Sequence, residues 1–365
     1  MSRQAGPGET VAPRPGEEID AGVVAKFLAR ELPGFTGPVE ISQFPGGASN
    51  LSYLLRSRNE AWVLRRPPFG TRARSAHDMG REYRFLSRIH AAFPYAPRPR
   101  LLCADRGVIG EEFYLMERLD GLILRRDLPP GMELSPAQAH ALCRNLVDVH
   151  AELHAIDYEA AGLSGLGRPH GYVARQIGGW SDRYRAARTR DVPDNESLMA
   201  WLESSRPAEA ARASVIHNDF KFDNVVLNRN GGRLAITGVL DWEMATLGDP
   251  LMDLGASLAY WIQADDPETL RGIRMLPTHL PGMMRRAELV EYYCARTGRA
   301  PPSFDFYHAY GLFRLAVIVQ QIYYRFVLGQ TTNPRFAPFG QYCRVLSQAA
   351  ESVAAGRPDF QGAFG

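Results

Sequence analysis

The stretch VIHNDFKFDNVVLN (215–228), followed by GVLDWEMATLGDPLMDLG (238–255), decides how this chain folds. It runs His217-x-Asp219-x-x-x-x-Asn224, then a strand, an Asn230-Gly231 turn, a returning strand and Asp241. Asn-Gly between two apolar runs is a strong hairpin signal. An antiparallel hairpin folds back on itself, so Asn224 before the outgoing strand and Asp241 after the returning one are predicted to sit side by side. An amide oxygen and a carboxylate facing one point, with no Cys or His, suit Mg²⁺, which takes few protein ligands and completes its octahedron with water and phosphate oxygens. Asp219, in the loop before Asn224, is placed to accept a proton from a substrate hydroxyl.

Working outward, the flanks differ in texture. Residues 1–18 hold several prolines, Glu9, Glu17 and Glu18 and no apolar run, which reads as a flexible leader and not a signal peptide. Asp20 caps a predicted helix over 21–31 that Pro33 and Gly34 end. Strands are predicted over 38–44, 50–57 and 61–66, the first pair joined by Pro45-Gly46-Gly47-Ala48-Ser49. Ser75 and Asp78 form a capping box for a helix over 76–91, and FYLMERL (113–119) reads as a further strand. Beyond it helices are predicted over 136–155, 172–190, 249–263, 286–297, 305–328 and 340–354. The expected organisation is the leader, a β-rich lobe over 19–118 and a helical lobe over 119–365, an α+β chain.

Composition excludes several classes. The 365 residues carry 42 Lys+Arg against 40 Asp+Glu, too balanced for a general nucleic-acid binder. Only two of those 42 basic residues are lysines, Lys26 and Lys221. Cys103, Cys143, Cys294 and Cys343 are far apart and form no CxxC pair, which fits a reducing compartment. The most apolar stretch, 312–328, is interrupted by Arg314, two glutamines and Arg325, so no membrane span is expected and a cytoplasmic location is. GxGxxG, GxxxxGK[ST] and GxSxG are absent.

The segments FPGGASNLSYLL (44–55), WVLRRPP (62–68), REYRFL (81–86), FYLMERLDG (113–121), HNDFKFDN (217–224), LDWE (240–243) and GDPLMDLG (248–255) occur in an order that resembles the aminoglycoside phosphotransferase or choline-kinase-like family. Within it they are most similar to the kinase-like domain that precedes some acyl-CoA dehydrogenases. The resemblance implies a protein-kinase-like bilobal fold, with a small antiparallel β-sheet lobe bearing one main helix and a large, mostly helical C-terminal lobe. It implies an ATP- and Mg²⁺-dependent small-molecule kinase with Asp219 as the base and Asn224 and Asp241 on the metal. Gly46, Gly47, Ser49 and Asn50 would cover the ATP phosphates, and Arg65 takes the place where the family usually has a lysine, paired with Glu82. Met116 would line the adenine pocket, with the Glu117 carbonyl and Leu119 amide as adenine contacts. Lys221 stands where many protein kinases keep a lysine that touches the γ-phosphate.

Structural readings are preferred elsewhere. His217 braces its loop, Asp249 caps a helix, Asp253 anchors the catalytic loop, and His150 and His154 (HAELH) pack a helix without the HExxH order of a zinc site. Between Leu166 and Arg190 stand six arginines and one acid, Asp182, the reverse of what a polycationic aminoglycoside needs. That favours an anionic, hydroxyl-bearing acceptor such as a hydroxyacyl-CoA. An aminoglycoside- or choline-type kinase, a nucleotide-binding pseudokinase and a metal-dependent hydrolase stay open as alternatives; the oligomeric state is not specified.

Overall fold

The computed structural model describes residues 10–45, 50–58, 60–68, 78–210, 212–299 and 303–357. The Gly46-Gly47-Ala48-Ser49 turn and Ser75 lie outside them. The chain divides into one compact unit of residues 1–122, 161–163 and 237–245, and a second of 123–160, 164–236 and 246–365.

The first unit contains α1 (Ala21–Glu31), β1 (Glu40–Gln43), β2 (Leu51–Arg56), β3 (Ala61–Arg66), α2 (Met79–Ile89), β4 (Pro99–Cys103), α3 (Arg106–Ile109) and β5 (Phe113–Glu117). Its five strands pair antiparallel in the order β1-β2-β3-β5-β4. Strand side chains alternate between faces, so Trp62 and Leu64 of β3 join Tyr53, Leu55, Phe113 and Leu115 against Val24, Phe27 and Leu28 of α1. The same alternation turns Arg65 to the opposite face. Asp78 caps α2 by accepting from the Arg81 amide, and α2 buries Glu82, Phe85, Leu86 and Ile89. The described part of the leader is tied down rather than loose: Val11 and Gln43 exchange backbone hydrogen bonds of 2.8 Å, and the Tyr53 hydroxyl donates to the Glu17 carbonyl at 2.7 Å.

The second unit carries α4 (Pro136–Ala155), α5 (Tyr172–Ala187), α6 (Glu196–Ser204), β6 (Ser214–Ile216), β7 (Val225–Asn230), most of β8 (Arg233–Val239), β9 (Thr246–Gly248), α7 (Pro250–Leu258), α8 (Glu268–Gly272), α9 (Arg286–Thr297), α10 (Asp305–Val327) and α11 (Phe339–Ala354). Strands β7 and β8 form the expected hairpin, but its turn is Gly231-Gly232, at φ 55° and 82°, and Asn230 ends β7. A two-residue turn of this hand needs positive φ at both positions, which two glycines supply without a Cβ clash. Strand β6 pairs antiparallel with β9, joining the two motif segments just ahead of Asp219 and Asp253. Helix α7 ends at Leu258, short of the predicted 263, because i→i+3 bonds such as Trp261 N to Leu258 O tighten the chain.

Helices α7 and α10 touch backbone to backbone. A Cβ at Gly255 would lie 2.2 Å from the Tyr307 carbonyl oxygen, and one at Gly311 would lie 2.0 Å from that of Gly255. Backbone cannot yield as a flexible side chain can. Gly311→Ala is therefore expected to lower stability by about 1–3 kcal/mol through overpacking, read as a depressed midpoint in thermal unfolding. Gly272→Ala, with nothing within 4 Å, is the near-neutral control; equal midpoints for the two variants would contradict the account.

Candidate functional site

In the second unit, β6 delivers His217, Asn218 and Asp219 to a loop fastened from below. Asp253, fully buried on α7, accepts the His217 amide on Oδ2 and the Asn218 amide on Oδ1, both at 2.7 Å. The same Oδ2 lies 3.1 Å from His150 Nε2 and 3.1 Å from His154 Nε2. Burial, with His150 beside it, pushes the His154 imidazole down to about 4. A neutral ring then donates from Nε2 to Asp253 and accepts the Tyr293 hydroxyl on Nδ1 at 2.7 Å. Burial opposes the Asp253 carboxylate, yet these donors hold it well below the usual range. His150, His154 and Asp253 are close enough together to ligate a metal, but the hydrogen bonds already satisfy the group. Asp249 caps α7 through the Leu251 and Met252 amides, and the His217 ring braces the loop by accepting the Asp219 amide on Nδ1 at 3.3 Å.

Asp219 keeps 16% of its side chain exposed, enough for a hydroxyl to reach it. Lys221 Nζ lies 2.5 Å from Asp219 Oδ2 and 3.7 Å from Asp223 Oδ1, above the Tyr260 ring at 4.4 Å. Asn224 Nδ2 donates to the Asp219 carbonyl at 2.9 Å and to its Oδ2 at 2.8 Å. Burial works to raise the Asp219 carboxyl, but Lys221, with Arg314 and His217, brings it below its ordinary value. Because the Asn224 amide nitrogen faces Asp219, its oxygen is the atom that suits a hard cation.

In the first unit, Asp241 is left-handed (φ 67°) and leads into a short turn whose Trp242 packs on Phe85 and Phe93. Arg81 secures that turn by donating to the Ala245 carbonyl at 2.6 Å. Arg65 Nη2 meets Asp241 Oδ1 at 2.8 Å and Glu243 Oε2 at 3.5 Å, and its Nη1 lies 3.5 Å from Glu82 Oε1. Burial works against the guanidinium, but the surrounding acids hold its pKa well above its ordinary value. Burial raises the Glu82 carboxyl while Arg65 and Arg81 oppose the rise, and the Asp241 carboxylate is the hard oxygen group here that suits a divalent cation. Asn50 Nδ2 donates to Glu243 Oε2 at 2.6 Å.

Thus Asp219, Lys221 and Asn224 come together in one unit, and Arg65, Glu82, Asp241 and Asn50 in the other. Met116 is buried in β5, Glu117 ends that strand, and Leu119 follows it, partly buried. Gly46, Gly47 and Ser49 lie outside the described residues. Glu243, Tyr172 and Arg314 were not singled out from the sequence. Arg314 offered one signal, a charge flanked on both sides by apolar residues, Leu312 and Phe313 before it and Leu315 to Val319 after it.

Comparison with known proteins adds to this geometry. Residues 40–310 match the family model of the phosphotransferase enzyme family. Acyl-CoA dehydrogenase family member 10 of Mus musculus is 34% identical over 321 residues, covering 87% of this chain and 30% of that protein. Family member 11 of Homo sapiens is 33% identical over 342 residues, covering 92% and 43%. The chain spans less than half the length of the curated relatives it matches. The crystal structure of a Ralstonia eutropha JMP134 protein named for the aminoglycoside phosphotransferases superposes with a TM-score of 0.76 at 32% identity, over 93% of this chain and 99% of that one. Choline kinase from Cryptosporidium parvum, at 12% identity, superposes with a TM-score of 0.61 over 92% of this chain and 96% of its own; at that identity it shows the fold, an α+β protein-kinase-like one. With the family model spanning most of the chain and the motif residues gathered as described, the chain belongs to the phosphotransferase enzyme family.

Proposed function

We propose that this protein transfers the γ-phosphoryl group of ATP to a hydroxyl of a small, anionic, CoA-linked acceptor, with Asp219 as the base. The observation that carries this reading is the Asp219 carboxylate held between Lys221 and Asn224 on a loop tied to Asp253. The acceptor oxygen attacks the γ-phosphorus, the bond to the β-phosphate oxygen breaks, ADP leaves, and Asp219 takes the hydroxyl proton. Asn224 Oδ1 and the Asp241 carboxylate are the ligands proposed for Mg²⁺, which when bound neutralises phosphate charge. Arg65 and Lys221 are the proposed protein cations for the phosphates, covered by Gly46, Gly47, Ser49 and Asn50. Met116, Glu117 and Leu119 are the proposed adenine contacts.

Two findings support the acceptor class. The relatives above carry acyl-CoA dehydrogenase names. On α5 Arg175, Arg183 and Arg185 are exposed, as is Arg188 just past its end. Arg185 is taken up by Glu196 at 2.7 Å, while Arg183 lies over the Trp180 ring at 4.7 Å, a flat cationic surface suited to phosphate.

Asp219→Asn is expected to lower kcat about 10²–10⁴-fold while leaving Mg·ATP binding by calorimetry within about twofold; normal turnover would sink the assignment. The sign of the Lys221 effect is also fixed. A cation that lowers the Asp219 pKa keeps the base ionised, so the acid limb of kcat/KM is expected below the ordinary value of an aspartate. Lys221→Met is expected to move that limb to higher pH, and an unmoved limb contradicts the pairing. In an acceptor panel, hydroxyacyl-CoAs should release ADP faster than free hydroxy acids, choline or aminoglycosides. Arg183→Glu with Arg188→Glu should erase that advantage, as should high salt. Fast turnover of an aminoglycoside would favour the antibiotic-type reading instead.

A further inference from the structure

We infer that Arg314 is a positioning residue for the transfer step: from the core of α10 it locks the peptide that joins Asn218 to Asp219, and so aims the Asp219 carboxylate. The inference rests on Asp219 as the base.

Arg314 is 1% exposed in the middle of a helix whose neighbouring core positions are Leu312, Phe313, Leu315 and Ala316. A charge taken out of water there is costly unless it is paired and hydrogen-bonded, and a leucine or methionine would fill the space without that cost. Arg314 Nη2 donates to the Asn218 carbonyl oxygen at 2.7 Å. That oxygen and the Asp219 amide are the two ends of one peptide bond. The amide end is held by His217 Nδ1 at 3.3 Å, so both ends have a partner and the peptide plane cannot swing.

The residue at the hinge makes this restraint necessary. Asn218 is left-handed at φ 64°, a conformation that a residue with a Cβ holds only where its surroundings impose it. Three helices impose it. From α7, Asp253 accepts the Asn218 amide at 2.7 Å; from α5, the Tyr172 hydroxyl donates to Asn218 Oδ1 at 3.0 Å; from α10, Arg314 takes the carbonyl. Trp180 of α5 lies under the Arg314 guanidinium at 5.1 Å and keeps it flat and aimed. Without Arg314 the Asn218 carbonyl loses this bond, the left-handed peptide can relax, and the Asp219 carboxylate turns with it. A shift of about 1 Å at a reacting group is enough to cost about 10²-fold in rate.

The test uses the full chain and follows ADP release from Mg·ATP, with 3-hydroxybutyryl-CoA as acceptor and with water as acceptor where that thioester is not turned over. Arg314→Met is expected to lower kcat about 10–100-fold with the Kd for Mg·ATP within twofold of wild type. Arg314→Lys, which keeps the charge but loses the fork and the stack on Trp180, should recover part of the loss; it also serves as the test should the methionine variant fail to fold, with kcat still down at least fivefold. In an Asp219→Asn background, Arg314→Met should have no further effect on residual turnover, because there is no base left to aim. Wild-type kcat in either Arg314 variant, or a further fall of the same size in the Asp219→Asn background, overturns the positioning role. An active Asp219→Asn enzyme overturns the base assignment and this inference together, whereas an inactive Asp219→Asn with a fully active Arg314→Met overturns this inference alone.

Discussion

The carboxylate of Asp253 receives four donors at once, the amides of His217 and Asn218 and the Nε2 atoms of His150 and His154. A buried ion of this kind is tolerated only when its lone pairs are fully used, because desolvation costs several kcal/mol and each charge-assisted bond returns about 1.5–3. The geometry of the loop follows from that requirement. The two successive amides of His217 and Asn218 converge on that carboxylate, and the left-handed Asn218 then turns the chain toward Asp219. The glycines at the α7–α10 crossing set how near the helix bearing Asp253 lies to the helix bearing Arg314. A methyl group at that crossing would therefore be felt in the loop of His217, Asn218 and Asp219 as well as in the core.

The first unit meets a related problem in the opposite way. Around Asp253, donors outnumber the single carboxylate; around Arg65, carboxyl groups outnumber the single guanidinium. Burial pushes the Glu82 carboxyl upward, and Arg65 only partly opposes it. Arg81, the second guanidinium acting on Glu82, opposes that rise as well, so the cluster balances its charges from two neighbouring arginines rather than one.

Much of this was legible in the sequence where a local signal existed. Asp20 ahead of an apolar run marks α1 at its observed bounds, and Ser135, Pro136 and Gln138 mark the start of α4 with a capping box. The hairpin was legible from Asn230-Gly231, although the second glycine, Gly232, moved the turn by one residue. The strand β4 was missed because Pro97 and Pro99 mask a run whose pairing with β5 is decided by tertiary contacts, and three-residue strands such as β6 and β9 carry no periodicity at all. The fasteners of Asn218 were equally hidden. Tyr172 and Arg314 lie 46 and 96 residues from it in sequence, and nothing in either helix's own pattern says what its polar atom will bind.

The scarcity of lysine acquires a meaning at this site. Two of the three left-handed residues that are not glycine among the described residues, Asn218 and Asp241, precede or supply a candidate-site carboxylate, and each is held by an arginine, Arg314 on a carbonyl and Arg65 on a carboxylate. Both holds use a planar fork that stays charged when buried and can engage more than one partner, as Arg65 does with Glu82, Asp241 and Glu243. Lys221 does something else. Its ammonium sits on a flexible stem between Asp219 and Asp223 and over Tyr260, a compact charge that can turn from one carboxylate oxygen to another. A fork at 221 would fix a direction that the ammonium leaves open, and an ammonium at 65 or 314 would leave open a direction that the guanidinium fixes.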